Sequence, residues 1–278
     1  MKFLAIGHVA RDEFPDGAHR LGGTALYAAA TAARLGVPTA LVTRVGPHEK
    51  DELARTCADL AIDLRALDAL VTTTFVFRWD EAGRRILRLK ARAKAISFAD
   101  VPADLRSADA LVFGSIAREL SDDLLLGEAA RVPVLAAQGM LRMWDADGTV
   151  RPTTWDHAED DIRALAAVVL SDEDVAGDTT LVERWSTVAP VILTLAERGC
   201  RIYEDGHPMD ELPAYPAARM VDTTGAGDTF AAGLAIALGE GRTLADACRF
   251  ANAVASFGLE GAGITALATR EAVERRLG

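Results

Sequence analysis

Six short runs of apolar, β-prone residues punctuate the chain: Phe3 to Ile6, Thr39 to Thr43, Ala110 to Phe113, Val132 to Ala136, Ala167 to Leu170 and Val191 to Leu195. Each reads as a strand buried on both faces. Ala/Leu-rich stretches of helical length lie between them, including Thr24 to Leu35 closed by Gly36, Glu49 to Leu60, and Asp122 to Ala130. This alternation predicts an α/β fold with a mainly parallel sheet covered by helices. The last third reads as helical, over Ala226 to Leu238, Leu244 to Leu259 and Arg270 to Leu277. The 278 residues are 50% hydrophobic, enough for a sizeable core, and show no internal repeat or low-complexity linker. One domain over residues 1–278 is expected.

Residues 71–95 break the alternation. Thr72 to Phe77 and Arg85 to Leu89 flank Asp80-Glu81-Ala82-Gly83, a turn-rich spacer, and together read as a β-hairpin. Arg78, Arg84, Arg85, Arg88, Lys90, Arg92 and Lys94 give this segment a positive balance in a chain whose formal net charge is -11. It reads either as a solvated hairpin whose charges block edge pairing or as a flap over an anion-handling site.

The acidic balance argues against a nucleic-acid or anionic-membrane partner, both of which need clustered positive potential. No stretch approaches the roughly 18 uncharged apolar residues that a membrane helix needs, and Gly7-His8 cuts the first apolar run short of a signal peptide's core. The three cysteines, Cys57, Cys200 and Cys248, carry neither zinc-like nor disulfide-framework spacing, which fits a reducing cytoplasm. None of the five histidines shows metal-like pairing; His8 stands out only because it follows the first strand, at the edge where open parallel sheets bind ligands.

Chemistry concentrates in Val221-Asp222-Thr223-Thr224-Gly225-Ala226-Gly227-Asp228-Thr229-Phe230, a polar, glycine-rich string leading into an apolar helix. Unpaired amides at a helix start, reinforced by the helix dipole, make an anion cradle. Gly225 and Gly227 allow close approach of a phosphate, and Asp228 in the first turn can serve as a base beside it. Equally, such a string can be a capped helix whose Asp merely complements the dipole. No Gly-x4-Gly-Lys-Ser/Thr and no Gly-x-Gly-x-x-Gly after the first strand appears, so neither P-loop nor dinucleotide-binding chemistry is indicated.

The whole string resembles the second signature of the ribokinase-like (PfkB) family of carbohydrate kinases, and Gly22-Gly23 opening the helix at Thr24 resembles the first. The resemblance runs nearly end to end. It implies a three-layer αβα sandwich with a small β lid, here residues 71–95 together with what remains before Gly22. It also implies transfer of the γ-phosphoryl group of ATP to a hydroxyl of a small polyol. On that resemblance Asp228 takes the hydroxyl proton, the amides of Gly225, Ala226 and Gly227 stabilise the transferring group, and Asp12, Gly22 and Gly23 grip the acceptor. Thr194, Glu197, Gly199, Thr224 and Asn252 would line the nucleotide. Asp222 and Thr224, with the carbonyls of Gly261-Ala262-Gly263, match positions that bind a monovalent cation such as K+ in several members. A lid-mediated homodimer is a candidate, and the shortened lid leaves the oligomeric state open.

Four departures bear on the details. Tyr27 stands where the family usually has an Asn that contacts sugar. Ser171-Asp172-Glu173-Asp174 replaces Asn-x-x-Glu, leaving Asp174 as the carboxylate to act on Mg2+ through water. Ala196 stands where a Gly follows the strand-end Thr. Gln138-Gly139-Met140-Leu141-Arg142, followed by Trp144, replaces Asp-x-Asn-x-Arg and looks like the inositol kinase branch, with Gln138 and Arg142 as acceptor ligands. Their other reading is the satisfaction of buried backbone groups at a strand end. A nucleoside kinase, a kinase for a sugar already bearing phosphate, and a non-catalytic ligand sensor are the alternatives.

Overall fold

Strand β1 (Phe3–Ile6) alternates its side chains between two cores, Phe3 and Ala5 into one and Leu4 and Ile6 into the other, which is why it is apolar throughout. The computed structural model describes residues 1–79, 85–127 and 129–278. Strands β2 (Ala10–Glu13) and β3 (His19–Gly22) lead into helix α1 (Thr24–Arg34), then β4 (Thr39–Val45), α2 (Lys50–Asp59) and β5 (Asp63–Asp68). Next come β6 (Thr73–Trp79), β7 (Arg85–Ala91), β8 (Ala110–Gly114), the one-turn α3 (Asp122–Leu125) and β9 (Pro133–Ala136). They are followed by β10 (Arg142–Trp144), β11 (Val150–Pro152), α4 (Ala158–Ile162), β12 (Ala167–Ser171), α5 (Thr180–Ser186) and β13 (Val191–Thr194). The chain closes with β14 (Cys200–Glu204), β15 (His207–Leu212), α6 (Ala226–Gly239), α7 (Leu244–Gly258) and α8 (Arg270–Leu277).

Nine strands form one sheet in the order β15-β14-β13-β12-β9-β8-β1-β4-β5. Its pairings are parallel except those of β14 with β13 and with β15. Helices α1, α6 and α7 cover one face, while α3, α4 and α5 cover the other, where Trp155 meets Trp185 edge to face. This is the expected three-layer α/β sandwich. The helix foreseen over Asp122 to Ala130 shrinks to α3, because the chain turns at Leu126–Gly127. No helix among the described residues is long and apolar enough to cross a membrane.

A second sheet, in the order β3-β2-β6-β7, stands over the carboxyl ends of the parallel strands. β6 and β7 pair antiparallel as the flap was read, with the Asp80 to Gly83 spacer and Arg84 outside the described residues. The part of the lid before Gly22 is a full strand pair, because β2 begins at Ala10 and carries Asp12 itself, opposite Arg20. A small apolar core of Ala10, Phe75, Phe77, Leu89, Ile116 and Ala117 seats this sheet on the body.

Candidate active site

Helix α6 starts differently from its neighbours. Thr243 and Thr269 cap α7 and α8 by accepting the amides of Asp246 and Ala272, whereas α6 begins at Gly225 with no side-chain cap. The Ala226 amide reaches the Thr223 carbonyl at 3.4 Å, while those of Gly227 and Asp228 have no backbone partner among the described residues and remain available to an external anion. Gly225 sits at φ 85, and a Cβ there would come within 2.3 Å of the Tyr27 ring. Both the left-handed backbone and the close approach require glycine. Gly227, by contrast, faces open space.

Asp228 follows in the first turn, buried at 7% exposure. Its Oδ1 accepts hydrogen bonds from Thr24 Oγ1 at 2.7 Å and from Gln138 Nε2 at 3.2 Å. Gln138 in turn accepts from Arg142 Nη2 at 2.7 Å, and Arg142 Nη1 donates to the Ile116 carbonyl. Burial pushes the Asp228 carboxyl up to about 6, while the bond from Thr24 and the charge of Arg142 oppose the rise. The result is an acid whose proton affinity lies near neutrality, as a general base requires.

Asp12 reaches the same region from β2. Its Oδ2 lies so close to Gly22 that a Cβ there would come within 2.5 Å, and Gly23 opens α1 alongside. Tyr27 is almost fully buried, and its hydroxyl has no protein partner among the described residues. Burial raises its pKa beyond the ordinary phenol range, so it stays protonated and can donate. Asp12, Gly22, Tyr27, Gln138, Thr24 and Asp228 thus converge at the carboxyl edge of the sheet, where open parallel sheets bind ligands.

The residues expected to line the nucleotide do not converge in this way. Thr194 Oγ1 donates to the Leu170 carbonyl on the neighbouring strand, and Glu197 stands exposed in the turn Ala196–Arg198. Ala196 keeps the left-handed conformation at φ 52 that a glycine would take without strain. Gly199 lies against the Leu212 carbonyl. Asn252 is buried, and its amide donates to the Leu212 and Pro213 carbonyls, tying α7 to the end of β15. Asp174 Oδ2 accepts both the amide and the hydroxyl of Ser171 at 2.8 Å, so Oδ1 is the oxygen able to meet a magnesium-bound water. Asp222 Oδ1 accepts the Thr224 amide at 2.9 Å, and Asp222 Oδ2 pairs with Arg20 at 3.0 Å. Despite burial, the bonds from Thr224 and the charge of Arg20 hold the Asp222 carboxyl below its ordinary range.

Thr24, Arg20 and Glu119 escaped the sequence reading. Glu119 is buried and accepts the amides of His8, Ile116 and Ala117, joining the ends of β1 and β8 beneath the second sheet. His8 is spent on structure. Its Nε2 donates to the Lys94 carbonyl and its Nδ1 accepts from Thr73 Oγ1, which fixes one neutral tautomer. Burial lowers its pKa and keeps it neutral. Three of the flap's cations turn to local partners: Arg88 to Asp147, Lys90 to Glu13, and Arg92 to the carbonyls of Ala117 and Arg118.

Similarity to known proteins agrees with this geometry. The chain is 36% identical over 143 residues to the inositol 3-kinase of Arabidopsis thaliana, an alignment covering 49% of this chain and 38% of that protein. Among solved structures, a pyrophosphate-dependent kinase in the ribokinase family, complexed with a pyrophosphate analog and myo-inositol, superposes with a TM-score of 0.79 at 20% identity, covering 98% of this chain and 99% of that one. Arabidopsis thaliana ribokinase complexed with ribose and ATP superposes at 0.77 and 21% identity, covering 99% and 98%. These two likenesses establish the fold. The family model for pfkB family carbohydrate kinases matches residues 7–270, and the chain belongs to that family.

Proposed function

We propose that this protein transfers the γ-phosphoryl group of Mg·ATP to a hydroxyl of a small sugar or cyclitol, with Asp228 as general base. The observation that carries the reading is the buried Asp228 carboxyl, held by Thr24 and Gln138 in the first turn of an uncapped helix. The acceptor's hydroxyl proton passes to Asp228, its oxygen bonds to the γ-phosphorus, and the bond from that phosphorus to the bridging oxygen breaks to release ADP. The amides of Gly225, Ala226 and Gly227 stabilise the charge on the transferring oxygens. Asp12, Tyr27 and the Gly22-Gly23 pair bind and orient the acceptor, and Gln138, backed by Arg142, orients Asp228. Magnesium bound with the nucleotide would neutralise phosphate charge, and Asp174 would hold its waters. A cyclitol acceptor draws support from the Gln138-x-x-x-Arg142 pattern and from the likeness to an inositol 3-kinase. The three free, buried cysteines suit a cytoplasmic enzyme.

The inward-turned Asn252 favours a second reading, in which inorganic pyrophosphate is the donor and no base needs recognition. ADP release from Mg·ATP and phosphate release from Mg·pyrophosphate, measured across pentoses, hexoses, inositols and nucleosides, separate the two. Acceptor-stimulated turnover with one donor, lost in Asp228→Asn, is expected. Donor or acceptor binding without any turnover would replace the kinase reading with a ligand sensor.

A further inference from the structure

The loop ahead of α6 holds a charge that the transfer reading does not use. Arg20, on β3 of the second sheet, places Nη2 3.0 Å from Asp222 Oδ2. Its Nε is buried without a hydrogen-bond partner among the described residues, and its guanidinium carbon lies 5.3 Å from the centre of the Phe14 ring. On the far side stands Gly263, at φ 61, where a Cβ would come within 2.9 Å of Arg20 Cδ. Asp222, Thr224 and the Gly261–Gly263 turn are the positions at which the family resemblance implies a monovalent cation. They do not fit one here. Asp222 Oδ1 is taken by the Thr224 amide and Oδ2 by Arg20, and within the turn the Ala262 carbonyl accepts the Thr265 hydroxyl at 2.7 Å. Threading an ion into this cluster would set it against a guanidinium already matched to the carboxylate.

We propose that Arg20 is a chain-borne replacement for the monovalent cation, a positioning residue that supplies fixed positive charge behind the phosphate loop and makes the protein indifferent to potassium. Because Arg20 belongs to the second sheet, the same contact ties that sheet to the loop carrying Asp228. The kinetic side of this inference rests on the phosphoryl-transfer reading, whereas its binding side does not.

The test compares melting temperature and turnover in potassium chloride and in tetramethylammonium chloride at equal ionic strength, for the wild type, Arg20→Ala and the milder Arg20→Gln. The wild type is expected to behave alike in both salts. Each variant, left with an unmatched carboxylate, is expected to gain a potassium-specific rise in melting temperature of about 2 °C or more. Its turnover should fall and recover about tenfold with potassium. A potassium-specific rise in the wild type, or none in a folded variant, would overturn the proposal. The melting arm needs neither donor nor acceptor, so its outcome stands even if no transfer is found.

Discussion

On the acceptor side of the site, Asp228, Thr24, Gln138 and Arg142 form one connected chain of hydrogen bonds, drawn from α1, α6 and the segment after β9. Among the residues expected to line the donor, Thr194 bonds to the neighbouring strand, Glu197 stands exposed, and Asn252 spends its amide on two carbonyls. The contrast separates two tasks. On the proposed reading, proton transfer needs a side chain held in one geometry before substrate arrives, and Asp228, bonded to Thr24 and Gln138, would be that side chain. Binding a polyphosphate can rest on main-chain amides, which need no side-chain network.

The largest test of this division is Asp228→Asn. Turnover is expected to fall by about 10²–10⁴-fold while the fold is kept. The Asp228 carboxyl titrates at about 6 rather than its ordinary 3.8, so folding favours its protonated form. The cost of ionising it is absent below the ordinary value, grows as pH climbs through that interval, and amounts to about 3 kcal/mol above it. At neutral pH, Asp228→Asn should therefore melt no lower than the wild type in calorimetry, with its advantage shrinking in acid.

The paired glycines sharpen the same comparison. Gly225→Ala must take φ 85 and meet the Tyr27 ring, so a loss of about 2 kcal/mol or more in denaturant unfolding is expected, together with most of the activity. Gly227→Ala meets nothing and should leave stability unchanged or raised by up to about 1 kcal/mol, its effect confined to the KM of the donor.

Gln138→Leu removes a bond that favours ionised Asp228. It should lower kcat about tenfold at neutral pH and move the acid limb of the rate profile upward. The smallest effect belongs to the donor side: Asn252→Leu is expected to cost about 1–2 kcal/mol of stability while changing the donor's KM by less than about threefold. A large rise in that KM would return Asn252 to the nucleotide.

The glycine-rich start of α6 was legible in the sequence because its polar, glycine-rich string gives way abruptly to an apolar helix, and the buried strands were legible because strands covered on both faces must be apolar. β5 and β15 carried no such pattern, since they lie at the edges of the sheet and keep many exposed side chains. Thr24 was hidden for a different reason: its partner Asp228 lies 204 residues away, and no local spacing announces such a bond. Arg20 and Glu119 were hidden likewise, since Arg20 meets Asp222 and Glu119 meets the His8 amide only across the fold. Asn252 shows the converse, a polar residue read for a ligand that the structure occupies with its own carbonyls.

If the buried carboxyl at the start of α6 removes the acceptor's proton, the pH dependence of kcat/KM for the acceptor carries its titration. An acid limb with an apparent pKa near 6, absent together with the activity in Asp228→Asn, is the expected result. A profile flat from about pH 5 to 8, or an Asp228→Asn variant that turns over at the wild-type rate, would contradict it.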